Sequence, residues 1–231
     1  MSHREFSGVC VAGLFLSGSA CADVVYSDGE FVPSTWGFET VVLGTGGTSA
    51  AAQVGAGNPG NARRLTNSVN AGGTVYGFSR YGTTQAVGRY DPSVAGAIAS
   101  VDWSLESLFV SGGDAGGQAV MLGAKQGAIV YAADVGQTGT GAGWVTHGAV
   151  GLTEADFQPL NGAAPIDFSA SGAPLRFGFI VGNSGAESFT SVAVYDNFSV
   201  TLRAVPAPGA AGLAGVAALG LACRRRRGSG R

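Results

Sequence analysis

The strongest constraint on the fold is a local pattern repeated between residues 36 and 202. A short run of β-branched and aromatic side chains is followed by a cluster of glycine and other turn formers. The run at 36–43 is closed by Gly44-Thr-Gly-Gly47, and the run at 49–54 by Gly55-Ala-Gly-Asn-Pro-Gly60. Further runs cover 63–69, 74–79, 97–108, 118–124, 128–135, 144–150, 175–181 and 189–202. Arg64, Thr66 and Ser68 alternate with Leu65 and Val69, the period of a strand with one wet face. Across 97–108 the alternation slips near Ser100, the mark of a bulge. Lys125-Gln126-Gly127 reads as a hairpin turn, and Tyr90-Asp91-Pro92-Ser93 as a turn in which proline fixes φ. Only 152–157 looks helical, with Thr153 as its N-cap. Roughly ten to twelve strands in about 180 residues predict an all-β fold, an antiparallel β-sandwich of the jelly-roll kind, in one domain. The 40 glycines follow no G-X-Y period, which excludes collagen.

Both ends of the chain differ from this middle. Arg4 precedes an apolar, small-residue run over 6–20, and Ala20-Cys21-Ala22 fits a small-x-small cleavage site with Asp23 as the new N-terminus. These features predict a signal helix over 1–22 and signal peptidase as a partner. At the other end, Val205-Pro206-Ala207-Pro208 precedes 15 uncharged residues over 209–223, and then come Arg224, Arg225, Arg226 and Arg227. The prolines separate the tail from the last strand. The apolar run is shorter than the roughly 20 residues of a full membrane span, and an arginine block marks the cytoplasmic end of such a helix.

This order of proline motif, short hydrophobic helix and arginine cluster resembles the PEP-CTERM sorting signal of exported bacterial proteins, with Ala207 where glutamate is usual. The resemblance implies an exosortase-like processing enzyme and a transient hold on the inner membrane through 209–223. It implies delivery to the bacterial cell envelope, the cell surface or an extracellular matrix. The expected organisation is a signal peptide at 1–22, a β-sandwich at 23–204 and a sorting segment at 205–231.

Without the two end segments the charge changes. Residues 23–205 hold seven Lys+Arg against fourteen Asp+Glu, a net of −7 where the full chain has −2. That balance speaks against nucleic acid as a partner. Cys10, Cys21 and Cys223 all lie in the end segments, so neither a disulfide framework nor thiol chemistry is open to the middle.

The middle is poor in catalytic groups. His147 is its one histidine, no G-x-S-x-G is present, and no phosphate-binding glycine motif appears. Glu154 and Asp156 form the one suggestive carboxylate pair, but Gln158 and Pro159 follow where a second glutamate would be needed. No catalytic residue is assigned, and no enzyme activity is expected. Trp36 and Trp103, set among apolar strand residues, are expected in the core. Trp144 follows the flexible run 139–143 and is the leading ligand-binding residue, with Tyr81 and Tyr90. Of the adjacent Arg63 and Arg64, one must point inward or to an edge and is expected to pair with a carboxylate.

A second resemblance covers two short strands. Glu30-Phe31 with Trp36 nearby, and the closing strand Val194-Tyr-Asp-Asn-Phe-Ser-Val200, are similar to the terminal strands of carbohydrate-binding and concanavalin-like jelly rolls. In such domains the two ends meet around a structural calcium. The resemblance implies a calcium site at Glu30, Asp28 and Asp196, and extracellular polysaccharide as a partner. The expected function is therefore a structural or glycan-binding role outside the cell. The alternative is a glycan-active hydrolase of concanavalin-like fold with an atypical carboxylate pair.

Overall fold

The structure is a computed structural model, and it describes residues 22–83, 87–112 and 117–205. The expected signal helix, Pro206, Ala207, Pro208, the apolar run and the arginine cluster lie outside these residues. Among the described residues no helix is long and apolar enough to cross a membrane.

Among the described residues, thirteen strands follow in order. They are β1 (Val24–Asp28), β2 (Trp36–Gly44), β3 (Gly47–Gly57), β4 (Gly60–Val69), β5 (Gly73–Tyr81), β6 (Arg89–Tyr90) and β7 (Ile98–Gly112). After these come β8 (Ala119–Gln126), β9 (Ile129–Gln137), β10 (Val145–Leu152), β11 (Gln158–Pro159), β12 (Leu175–Gly185) and β13 (Phe189–Ala204). A single helical turn, α1 (Pro92–Ala95), precedes β7; Asp91 caps it by accepting from the Ser93 N–H. The helix expected at 152–157 is only a 3-10 turn over Glu154–Asp156, because β10 runs on to Leu152.

The strands form two antiparallel sheets. The first has six strands, in the order β10-β7-β13-β4-β3, with β1 also on β13. The second has seven, in the order β11-β9-β8-β12-β5-β2, with β6 also on β12. In each sheet one long strand takes two partners along one edge. β13 pairs with β4 through 189–195 and with β1 through 198–202; β12 pairs with β5 through 178–185 and with β6 at Leu175 and Arg176.

Bulges set which side chains face inward. On β13, Ser191, Ala193 and Tyr195 are buried, and after the bulge Phe198, Val200 and Leu202 are. The inward set changes from odd to even numbers at Asn197, whose φ of 51° lies in the left-handed region that asparagine tolerates. On β7 the register shifts between Ile98 and Ser100, where the alternation in the sequence slips.

The main core lies between the sheets. Leu65, Leu105, Leu122, Phe177, Phe179, Tyr195 and Phe198 are almost wholly buried there. Trp36 and Trp103 belong to it, at 4% and 5% exposure. Arg63 points inward and Arg64 outward. The expected carboxylate pairing of Arg63 is replaced by other contacts. Its Nε donates to Ser79 Oγ, its Nη2 to the Gly37 carbonyl at 3.5 Å, and the guanidinium lies 5.6 Å from the Trp36 ring centre. Asp28 acts on it only through space, and burial lowers its pKa to about 10.

Candidate functional site

Side chains alternate across a strand, so half of the second sheet's residues face away from the core. These outward residues are read from the register. Tyr76 lies opposite Gly182, which lies opposite Ala119; Phe78 opposite Ile180 and Met121; Arg80 opposite Gly178 and Gly123. Arg89, Arg176 and Lys125 form one further row across three strands. Val41, Phe78, Met121, Val130, Ala132 and Ile180 make a separate buried cluster on this face, with Tyr76, Ala119 and Leu160 packed against it.

Glycine leaves room on this face that neighbouring side chains fill. A Cβ on Gly182 would stand 2.8 Å from the Tyr76 ring, and one on Gly123 would stand 2.6 Å from the Phe78 ring. A Cβ on Gly37 would stand 2.7 Å from the Arg80 guanidinium. Because the glycines carry nothing there, three successive outward side chains of β5 lie flat over neighbouring strands. Tyr76 remains half-buried, with its ring over Gly182.

Two clefts occupy this outer face at opposite ends of β5. One holds about 230 Å³ and is lined by Thr74, Tyr76, Gln137, Gly182, Asn183 and Ser184 among others. The other holds about 430 Å³, with Arg80, Thr83, Arg89, Lys125, Arg176 and backbone at Gly127 in its wall. From Thr74 to Arg80 is six residues of strand, ~20 Å, so the two ends define one strip of sheet.

The cations at this end have both carboxylate and backbone partners. Lys125 Nζ donates to Glu39 Oε2, and Arg80 Nη1 lies 4.0 Å from the same oxygen. Arg89 pairs with Asp91 at 3.3 Å. Arg176 Nη1 donates to the carbonyls of Gly82 and Val87. Burial lowers the Arg176 pKa, and the charges of Arg80 and Arg89 lower it further. Arg80 Nε and Glu39 Oε1 are buried without a hydrogen-bond partner.

The three expected ligand-binding residues are not brought together in these clefts. Tyr90, 2% exposed, is a core residue whose hydroxyl donates to the Gly96 carbonyl at 2.8 Å. Tyr81 faces the same interior, its ring centre 5.5 Å from Trp36 and 5.7 Å from Tyr26. Each is one residue away from a cation of the cleft, Arg80 or Arg89, and strand alternation sends the neighbours to opposite faces. Trp144 is half-buried just before β10 and lines none of the clefts described. The sequence carried one signal for this face: Gly178 and Gly182 fall on the same side of β12.

The expected calcium ligands part in a similar way. Asp28 is consumed locally, accepting from the N–H groups of Glu30 and Phe31 and from Trp36 Nε1 at 2.7, 2.9 and 2.8 Å. Asp196 is wholly buried and accepts from the backbone N–H groups of Asn58 and Asn197. Burial raises its pKa against those two bonds, and Glu106 and Glu30 raise it further. Glu106, on β7, lies opposite Asp196, and Asn58 and Asn197 both donate to it. Among the described residues no three His, Cys, Asp or Glu side chains lie close enough to hold a metal ion as they stand.

His147 Nε2 lies 2.7 Å from Ser107 Oγ, with the charge of Asp134 near enough to act on it. Burial is the larger effect and lowers the histidine's pKa. Ser107 is wholly buried, and the Asp134 carboxylate accepts from Trp103 Nε1 at 2.9 Å. The trio ties β7, β9 and β10 together and offers no accessible nucleophile. Glu154 and Asp156 are likewise engaged, accepting from the Phe168 N–H and from Thr153.

No family model matches the chain, and no curated protein matches it. Several solved structures are similar. A family 11 carbohydrate-binding module from Clostridium thermocellum, solved with a β-1,3-1,4-mixed-linked tetrasaccharide, is 14% identical over 81% of this chain and 99% of its own, with a TM-score of 0.47. A xylan-binding domain of family 22 is 10% identical over 78% of this chain and 95% of its own, at 0.43. The CBM22-1 xylan-binding domain of Paenibacillus barcinonensis Xyn10C is 12% identical over 81% and 97%, at 0.41. At such identities no residue assignment passes from them to this chain.

Proposed function

We propose that the chain is an exported, non-catalytic β-sandwich that binds polysaccharide at the bacterial envelope or in an extracellular matrix. The observation that carries the reading is the pair of clefts at the two ends of β5 on the outer face of the second sheet. They offer a half-buried tyrosine ring over Gly182 and polar groups at both ends, with the apolar cluster between them covered. Export is read from the two end segments and stands with this proposal. Neither of the two clefts described has a carboxylate in its lining, whereas glycoside hydrolysis requires a pair. That geometry favours binding over the hydrolase alternative.

The test is a glycan array probed with the full chain and with Tyr76→Ala. The chain is expected to retain a subset of polysaccharides and to release no reducing sugar. Loss of one aromatic contact is expected to weaken retention several-fold, from about 0.5–1.5 kcal/mol. Retention of no glycan would overturn the binding reading, and release of sugar would restore the hydrolase.

A structural calcium belongs to the same proposal, with Asp196, Glu106 and Glu30 as its carboxylates. What supports it is a wholly buried Asp196 with two carboxylates acting on it and no ion pair to it among the described residues. Hard carboxylate and amide oxygens suit calcium. The Asn58 and Asn197 amides, which now donate to Glu106, would have to give way.

A further inference from the structure

β10 is an edge strand, paired only with β7 among the described residues. Of its eight residues His147 alone is buried; Ala149 and Leu152 are half-buried, and Val150 is 83% exposed. The strand is therefore seated chiefly by a titratable side chain. The imidazole reaches across the sandwich to β9. A Cβ on Gly136 would stand 2.7 Å from His147 Nδ1, so the ring fills room that glycine leaves. Nε2 lies against the wholly buried Ser107 Oγ, which among the described residues is the ring's one hydrogen-bond partner.

Few charged groups face this ring. From β9 comes Asp134, the extra residue of a bulge, with a φ of 52°; its carboxylate accepts from Trp103 Nε1. From β7 the inward neighbours are Trp103, Leu105 and Ser107. Asp102 and Glu106 alternate to the other face, where Arg203 and Asn197 donate to them. From β13, Tyr195 lies opposite Ser107, and its hydroxyl donates to Gln118 Oε1. β10 itself has no other ionisable side chain. Ionised Asp134 favours an imidazolium, and burial opposes one more strongly.

We propose that His147 is an acid-operated latch, whose protonation releases β10 from β7 while the rest of the sandwich stays closed. A protonated ring carries a donor on both nitrogens. Ser107 can accept from one, and the other faces a glycine with no side chain to answer it. A charge held there is desolvated without an ion pair, and leaving the pocket hydrates it. β7 keeps β13 along its other edge, so the core between the sheets survives the opening. The ring is neutral in the closed form, with its pKa lowered from the ordinary 6.5. Closure is therefore fully favoured above the ordinary value and weakens as pH falls toward the lowered one. Opening bares the backbone groups of β7 from Val101 to Ser107, a strand edge open to pairing.

The test is amide hydrogen exchange of the full chain from about pH 8 to about pH 5, corrected for the intrinsic pH dependence of exchange. The amides of β10 are expected to lose protection by up to about tenfold per pH unit within the window, while those of β13 keep theirs. His147→Gln should abolish the pH dependence in β10. That variant separates the ring from carboxylates that titrate in acid, Asp196 among them. Gly136→Ala drives the ring out at neutral pH, so β10 should exchange fast there already; this arm decides if the glutamine variant fails to fold. Unchanged protection of β10 in wild type would overturn the latch, as would the same loss in His147→Gln. Equal loss in β13 would overturn it too, because the opening would then be global. So would a gain of protection in acid, with Asp134 holding the imidazolium in place, or a Gly136→Ala protein that exchanges as slowly as wild type.

Discussion

Trp36→Ala is expected to lower the unfolding free energy by about 3–5 kcal/mol, the cost of emptying a large aromatic site in a packed core. The indole meets rings from the loop after β1 and from β5, β12 and β13 at once. Its ring centre lies 4.8 Å from Phe31, 5.2 Å from Phe198, 5.5 Å from Tyr81 and 5.8 Å from Phe179. The edge donates to Asp28, which itself fixes the loop after β1, and the guanidinium of Arg63 lies over a face. Removing it opens a cavity between the sheets and unseats an inward-facing cation. Trp36→Phe keeps most of the apolar volume and loses the hydrogen bond, so its cost should be nearer 1–2 kcal/mol, roughly one hydrogen bond with a little packing. Urea unfolding of the three proteins measures this. An alanine variant within about 1.5 kcal/mol of wild type would show that the aromatic cluster does not hold the sheets.

In saturating calcium the protein is expected to melt higher than in chelator. An ion bound only by the folded state contributes about 2.7 kcal/mol at a hundredfold excess over its dissociation constant. The ligand set decides which variants lose the effect. Asp196→Asn should abolish the calcium-dependent shift, because the wholly buried carboxylate is its centre. Asp28→Asn should keep the shift, since that carboxylate is spent on two backbone N–H groups and the Trp36 indole. No shift in wild type, or the same shift in Asp196→Asn, would contradict the site. Loss of the shift in Asp28→Asn would restore the set read from sequence.

The two-sheet architecture was legible because strand alternation and glycine turns are local properties. Arg64, Thr66 and Ser68 do face outward from Leu65 and Val69, and the slip near Ser100 coincides with a register shift against β13. The end of the chain was less legible. β12 continues through Asn183 to Gly185 because Asn183 points inward and hydrogen-bonds Asn67 across the sandwich at 3.0 Å. A turn-forming residue was thus held in a strand by a buried polar partner 116 positions away.

The groove was not legible, and the reason is register. Which residues share its face depends on how β5, β12 and β8 pair, strands brought together from 73–81, 175–185 and 119–126. Aromatic content pointed to Tyr81 and Tyr90, whereas the face is built by their neighbours Arg80 and Arg89 and by glycines. Glu106 escaped notice for the same reason. It reaches Asp196 only because β7 lies beside β13, where the two residues are partners.

The most direct measurement is an amide-resolved titration of the full, nitrogen-15-labelled chain with the polysaccharide fragment that the array retains. Shifts are expected at Tyr76, Arg80, Gly123, Gly178 and Gly182, which trace the strip across β5, β12 and β8. Shifts confined to the loop around Trp144, with none along those strands, would contradict the account and return the site to the residue that sequence alone favoured.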